Sequence, residues 1–285
     1  MDFAADVRTG DRTQYLATLF APESARPALY ALAAYRLELA RIVARARDPL
    51  AAEVRLQWWR DAIRNEGFGE GAPVPLVLAL RDGMARYGWP AETLAAMSEA
   101  RIHDLYADPF EDTDGFDGFA GEAFAAPLQL AAMAHAIAHH GEEAGFAAAR
   151  TAAGAAGHGG VALAAADAAL GEAQRLGAGR THIPATLWQA AGVANIAAHI
   201  EAGTVPDALP AAVRAIVDHG EAADAAFRGA LKGADPAVRA ALLPAFTARP
   251  ALAAARKRPA APRMPGPLGV QWTLWRAARR LGPGA

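Results

Sequence analysis

Residues 53–63 read EVRLQWWRDAI and place two adjacent tryptophans inside a charged stretch with helical spacing. At about 100° per residue, both indoles share one roughly 160°-wide arc with Leu56 and Ile63. Arg55 lies in the middle of that arc, where a guanidinium needs an ionic or stacking partner. The pattern predicts an amphipathic helix over residues 49–66, buried on almost half of its circumference, with Arg55 inside.

The same helical periodicity runs through the rest of the chain, and β-branched runs bounded by turn residues are nearly absent. We therefore predict an all-α, single-domain helical bundle. Proline and glycine mark the joints between predicted helices at 12–20, 25–46, 49–66, 74–87, 91–105, 116–139, 142–168, 184–191, 193–201, 207–232, 235–256 and 268–280.

One segment, AAARTAAGAAGHGGVALAAADAALGEA at residues 147–173, is made almost wholly of alanine and glycine. Its side chains fill little space but let another backbone come close. We predict a central, tightly packed helix that is kinked at residues 157–160. The alternative is a flexible linker at a domain boundary.

The composition of the 285-residue chain, 53% hydrophobic and 20% charged, is that of an ordinary soluble globule. The absence of cysteine excludes disulfides, thiolate metal sites and a cysteine nucleophile. The first residues lack the pattern of a secretory signal, and polar residues interrupt every apolar window before the roughly 20 residues that a membrane span requires. We expect a cytoplasmic protein without a transmembrane helix.

Charge is unevenly distributed along the chain. The last fifty residues contain nine Lys and Arg and no Asp or Glu, while the preceding part has 19 basic against 30 acidic residues. No nucleic-acid-binding motif is present, and the acidic body argues against binding a phosphate backbone.

The proline-rich stretch 259–267, PAAPRMPGP, is a linker by composition. It divides a helical domain of residues 1–258 from a segment, 259–285, that holds a short basic helix with Trp272 and Trp275. We expect this helix to dock on the body through its tryptophans. The alternative is a peripheral anchor on a partner or on the inner face of the membrane.

Two further patterns invite a metal hypothesis. His135 and His139 have i, i+4 spacing without an HExxH motif, so we expect surface or helix-terminal histidines. The acidic stretch 103–118, HDLYADPFEDTDGFDG, lacks the regular ligand spacing of a calcium loop and has Ala123 where such a loop needs glutamate. We expect a solvated loop with an aspartate capping the next helix near Gly115.

Four stretches in this order resemble the squalene/phytoene synthase family, trans-isoprenoid synthases with an all-α fold around a central cavity. They span most of residues 12–190 and read YLATLFAPESARPALYALAAYRLELAR, RLQWWRDAI, RIHDLYADPF and GRTHIP. RLQWWRDAI and its spacing to DPF resemble a divergent branch that includes a mitochondrial respiratory complex I assembly factor. The last hundred residues match little.

The resemblance implies three magnesium ions held by two aspartate-rich helical motifs, because carboxylates at i, i+4 share a helix face. Here LELARIVA has Ala40, Arg41 and Ala44 at the first motif's positions. At the second, ALGEAQRLGAGRTHIP offers Glu172 without a paired carboxylate, and His182 replaces the family's tyrosine. The resemblance with these departures implies the fold without the usual head-to-head condensation and without a metal cofactor.

Three functions stay open. The favoured one is a non-catalytic protein that keeps the cavity for a prenyl diphosphate or lipid chain, or acts with respiratory-complex subunits in complex I assembly. The second is an active squalene- or phytoene-type prenyltransferase with an altered diphosphate site and magnesium. The third is a structural helical interaction module. A continuous cavity between the helices carrying Trp59 and Ala155 would separate the first from the third.

Arginines can bind a diphosphate or phospholipid headgroup without metal. We predict that the polar mouth of the cavity carries four substrate-binding candidates, Arg36, Arg55, Asp104 and Arg180. Arg55 and Asp104 are alternatively each other's structural partner. No catalytic residue and no metal ligand is assigned.

Overall fold

The computed structural model of the chain describes residues 2–65, 74–263 and 266–281. Within these ranges the chain is all-α and has no strand, which confirms the predicted fold class. Its α-helices are α1 (Phe3–Gly10), α2 (Arg12–Thr18), α3 (Arg26–Ala44), α4 (Pro49–Arg64), α5 (Pro75–Tyr87), α6 (Ala91–Ala100), α7 (Thr113–Ala120), α8 (Ala126–His140), α9 (Glu142–Thr151), α10 (Ala153–Gly177), α11 (Ala185–Ala190), α12 (Ile196–Ala202), α13 (Leu209–Leu231), α14 (Ala248–Lys257) and α15 (Pro267–Leu281).

Short segments of other helical types connect some of these helices. A π-helical turn, Gly121–Ala125, joins α7 to α8, and a 3₁₀ segment, Pro236–Thr247, leads into α14. The predicted helices 116–139 and 235–256 are therefore each divided. Pro244 contributes to the second division, because its nitrogen has no hydrogen to donate to a continuous α-helix.

Helix α10 lies between two hydrophobic clusters and packs along α13 and across the π-helical turn. A Cβ atom added at Gly160 would lie 2.5 Å from Ala125 Cβ and 2.6 Å from its backbone nitrogen. Alanine and glycine thus allow the two backbones to approach closely, and the linker alternative is wrong. The predicted kink is also misplaced: the helix is continuous through residues 157–160, and the break falls at Ala152.

The tryptophans of α4 pack as a T-shaped pair, with ring centroids 5.1 Å apart. Trp59 is buried and lies 5.2 Å from the Tyr35 ring, while Trp58 is half-buried. Arg55, however, is exposed, which contradicts the prediction that it lies inside the apolar arc. Ala51, which the helical wheel places on the same arc one turn earlier, is also exposed, so the buried face of α4 is narrower than the wheel predicts.

His135 is also placed differently from the prediction. It is 2% exposed, while His139, one turn later, is exposed as expected. The reason is that the 3₁₀ segment packs across α8 and covers the end of the helix on that side. Asp112 caps α7 by accepting a hydrogen bond from the Gly115 N–H at 2.9 Å, which confirms the predicted cap.

Helix α15 docks on the body, against the 3₁₀ segment and α2. The residues that it buries are Leu274, Ala277 and Ala278. Trp272 and Trp275 face solvent, so the prediction of docking is confirmed but the prediction that the tryptophans mediate it is wrong. Across the described part of the chain, no helix is long and apolar enough to cross a bilayer.

Candidate functional site

A cavity of about 580 Å³ lies among α2, α3, α8, α10, α14, the 3₁₀ segment and α15. Most of its wall is apolar, and helix α4 contributes nothing to it. The cavity is therefore bounded by the Ala/Gly-rich helix, as expected, but not by the helix that carries Trp59. Its apolar wall includes Leu29, Leu32, Phe124, Pro127, Leu128, Ala131, Leu163, Ala166, Leu170, Ala248, Ala251 and Val270.

Arg36 on α3 forms one charged pole of the cavity. Its guanidinium Nη1 lies 4.0 Å from an Asp11 carboxylate oxygen, and its side chain keeps 24% exposure, because it faces the cavity. Its Nε–H is buried and has no hydrogen-bond partner within the described ranges. Burial lowers the pKa of Arg36, and the Asp11 carboxylate acts in the opposite direction. Ala40 lies one turn further along the same face and is exposed.

A second charged pole is built on α10 by Asp167 and Arg175. The Arg175 guanidinium folds back along the helix, where it pairs with the Asp167 carboxylate and donates to the Asp167 carbonyl oxygen at 2.9 Å. It covers Gly171, where an added Cβ would lie 2.6 Å from Arg175 Nη1. Both charged residues and Gly171 line the cavity.

The charged lining of the cavity is thus two aspartates and two arginines, and each carboxylate has a guanidinium beside it. Magnesium prefers several carboxylate oxygens arranged around one point. The described residues contain no group of three or more His, Asp or Glu side chains that would hold a metal ion. These residues do not fit the three-magnesium arrangement that the resemblance implies.

Asp104 belongs to a separate buried network. Its carboxylate lies 2.7 Å from His182 Nε2 and accepts a hydrogen bond from Arg101 Nη1 at 3.0 Å. Burial alone would raise the pKa of Asp104, but His182 and Arg101 outweigh it and hold that pKa far below its usual range. Arg180 donates from Nη1 to the Asp104 carbonyl oxygen at 2.5 Å.

The four sequence-predicted site residues therefore occupy three places. Arg36 lines the cavity, Asp104 and Arg180 meet in the buried network, and Arg55 lies on the exposed side of α4. Arg55 is not the partner of Asp104, because Arg101 and His182 occupy both carboxylate oxygens. A ligand role for each of the four stays a prediction.

Glu172, the acidic residue expected near the second motif, points away from the cavity. It is fully buried, accepts a hydrogen bond from the Thr181 hydroxyl and another from the His182 N–H at 3.2 Å. Burial raises the pKa of Glu172. Its carboxylate fastens the loop after α10 to the helix.

Sequence reasoning missed Asp11, Asp167 and Arg175 as cavity residues. Asp11 caps α2 and approaches Arg36 only through the packing of the first helices on α3. Asp167 and Arg175 are eight residues apart, and their pairing depends on the absence of a side chain at Gly171. A glycine between an acidic and a basic residue on one predicted helix was the only sequence feature that could have indicated this ion pair.

Comparison with known proteins adds to this geometry. The family model described as squalene/phytoene synthase matches residues 7–276. The chain belongs to the squalene/phytoene synthase family. The match includes most of the last hundred residues, which carry little resemblance by eye, and it confirms the family that the four sequence stretches indicate.

Two solved structures of this family's fold are similar to the chain. A squalene synthase, HpnC from Alicyclobacillus acidocaldarius, matches with a TM-score of 0.67 and 20% identity, covering 90% of this chain and 92% of that one. A dehydrosqualene synthase in complex with ligand matches with a TM-score of 0.72 and 14% identity, covering 98% and 95%. At these identities the likeness is one of fold. No curated protein matches the chain.

Proposed function

We propose that this member of the squalene/phytoene synthase family binds an isoprenoid or other lipid chain in its cavity and does not catalyse magnesium-dependent condensation. The observation that carries the proposal is the charged lining of a cavity of about 580 Å³, where two Arg–Asp pairs stand without a metal-binding cluster of carboxylates. A cavity of this size lies within the usual range for small-molecule sites.

The chemistry of ionisation supports the non-catalytic half of the proposal. Departure of diphosphate from an allylic carbon needs concentrated positive charge at the leaving group, which metal ions usually supply. Here the candidates are Arg36 and Arg175, and each already has an aspartate partner. A diphosphate would have to compete with those carboxylates, so the two arginines offer little uncompensated charge.

The net charge of the cavity lining also indicates which head group the ligand carries. The four charged side chains of the lining, Asp11, Arg36, Asp167 and Arg175, sum to no formal charge. An uncharged isoprenoid with a small polar head therefore suits the cavity better than a diphosphate. Its chain would lie against the apolar wall, and its head would accept from Arg36, whose Nε–H has no partner among the described residues.

A direct test measures binding of farnesol and farnesyl diphosphate to the purified protein, each with and without magnesium. We expect farnesol to bind more tightly, with no effect of magnesium on either affinity and no release of pyrophosphate. Arg36→Gln should weaken binding on the order of tenfold by removing one charge-assisted hydrogen bond. Arg55→Gln is the matched control, because it removes an exposed arginine outside the cavity.

The outcomes separate the competing functions. Magnesium-dependent pyrophosphate release with turnover near the enzymatic range, roughly 1 per second or more, would establish an active prenyltransferase with an altered diphosphate site. Failure of every isoprenoid and lipid to bind would leave a structural helical module.

A role in respiratory complex I assembly is a further proposal, supported by the resemblance of RLQWWRDAI to the divergent branch. Its test is capture of complex I subunits from the native cell with the full-length chain as bait. Enrichment should exceed that of a bait with Trp58 and Trp59 both replaced by phenylalanine. Equal recovery with an unrelated control protein would count against the proposal.

A further inference from the structure

Helix α15 has two opposite faces with different surroundings. At about 100° per residue, five side chains share one arc roughly 100° wide. They are Leu268, Trp272, Trp275, Arg276 and Arg279, and all five are exposed. The buried residues Leu274, Ala277 and Ala278 lie on the other side, against the body. Docking of α15 therefore leaves an aromatic and basic face, defined by those five residues, directed outward.

The aromatic part of this outer face is large. Leu268 is 81% exposed, Trp272 is 57% exposed and Trp275 is 41% exposed. The two indole rings stack on each other with centroids 4.8 Å apart and planes 24° apart. Exposing two neighbouring indoles and a leucine to water is unfavourable, and such patches usually mark interaction sites.

The basic part has no acidic counterpart nearby. Arg279 lies over the Trp275 ring, 4.9 Å from its centroid, and neither it nor Arg276 forms an ion pair with a carboxylate of the described residues. By contrast, two arginines of the preceding helix pair with the body: Arg249 with Asp224, and Arg256 with Asp218 and Glu221. Arg276 and Arg279 therefore place unpaired positive charge on the outer face of α15, beside its exposed indoles.

We propose that the outer face of α15 docks on an anionic phospholipid bilayer. Indole rings settle at the headgroup level of a membrane, and arginines beside them reach lipid phosphates while their stems lie against apolar surface. Docking of this kind needs apolar area and positive charge on the same helix face, and α15 presents both. A protein partner is the competing occupant, and the test below separates the two.

The position of α15 gives the docking a structural consequence. Val270 lies on the inner side of the same helix and lines the cavity. The bilayer surface would thus lie about 10 Å, one helix diameter, from the cavity wall. The proposal does not depend on what the cavity binds.

Flotation with lipid vesicles tests the proposal on the full chain. We expect binding to vesicles of phosphatidylcholine with added phosphatidylglycerol, weaker binding to phosphatidylcholine alone, and loss of binding at high salt. W272A/W275A and R276Q/R279Q should each reduce the vesicle-bound fraction on the order of tenfold. Because all four side chains are exposed, circular dichroism and thermal unfolding should match those of the native chain.

The matched control is L50A/V54A, which removes two exposed apolar side chains from α4. It should bind vesicles like the native chain. Equal binding to both kinds of vesicle, or native-like binding by both α15 variants, would overturn the proposal. Absence of vesicle binding by the native chain would also overturn it, and capture of a protein through the same residues would then favour a protein partner.

Discussion

The pH dependence of stability should reveal the buried histidine of α8. His135 is 2% exposed, and its Nδ1 is buried without a hydrogen-bond partner in the described part of the chain. Burial lowers its pKa from 6.5 to about 3, with a smaller contribution in the same direction from His139 and an opposing one from the Ala237 backbone. The folded chain therefore holds a neutral imidazole.

Because the pKa is depressed in the folded state, the unfolded chain binds this proton more tightly. Between pH 3 and pH 6.5 the free energy of unfolding should rise with pH, by about 1.4 kcal/mol per pH unit, and above pH 6.5 this contribution should be flat. When the pH is lowered from 8 to 5, only the part below pH 6.5, about 1.5 pH units, changes the stability through His135. The His135 contribution should thus destabilise the fold by about 2 kcal/mol at pH 5.

Urea unfolding followed by circular dichroism at pH 8 and pH 5 measures this effect. His135→Gln keeps a neutral polar side chain and should reduce the loss of stability between the two pH values by about 2 kcal/mol. His158→Gln, at an exposed position of α10, is the control and should keep the native pH dependence. An identical pH dependence in the native chain and in His135→Gln would refute the reasoning.

Three other perturbations test the packing and the two charged sites. Gly160→Ala should lower the free energy of unfolding by about 1 to 3 kcal/mol in a urea titration, because the new Cβ would meet the Ala125 backbone. Gly157→Ala is the control and should be neutral or stabilising, because the space around it is open. Glu172→Ala should cost about 2 kcal/mol in the same measurement, since it leaves the buried His182 N–H unpaired, while the Thr181 hydroxyl keeps the Ile183 carbonyl oxygen as an acceptor. A cost below that of an exposed glutamate substitution would contradict the loop-fastening role. Asp167→Asn should remove the ionic partner of Arg175 and raise the affinity for farnesyl diphosphate on the order of tenfold in a calorimetric titration. The affinity for farnesol should not rise. Unchanged binding of the diphosphate would contradict the argument from charge balance.

Sequence periodicity was sufficient for the fold class because burial in a helical bundle repeats with the helical turn. Sequence periodicity was not sufficient to predict whether a single polar residue is buried or exposed. Arg55 occupies the apolar side of its wheel but faces solvent, although Ala52, one turn earlier on α4, is buried. His135 is buried by a segment about a hundred residues later in the chain, and no local pattern encodes that contact.

At the candidate site, too, the sequence of a single helix was informative, whereas contacts that depend on the folded chain were not predictable. The lack of paired carboxylates was visible at Ala40, Ala44 and Glu172, because each motif is local to one helix. The arrangement that replaces them was not visible. Asp11 reaches Arg36 across a helix junction, and Arg175 turns back along α10 rather than across the cavity.

The Arg–Asp pairs also explain why the cavity can persist without metal. A cluster of aspartates facing one another is stable when cations neutralise it, and it is destabilised by like-charge repulsion when they are absent. In this chain Arg36 and Arg175 supply the neutralising charge from within the protein. An aspartate introduced at position 171, next to Glu172, would meet the Arg175 guanidinium that covers Gly171, and would pair with it instead of binding magnesium. Restoring the motif residues alone is therefore insufficient to rebuild the metal site, because the arginines would have to be removed as well.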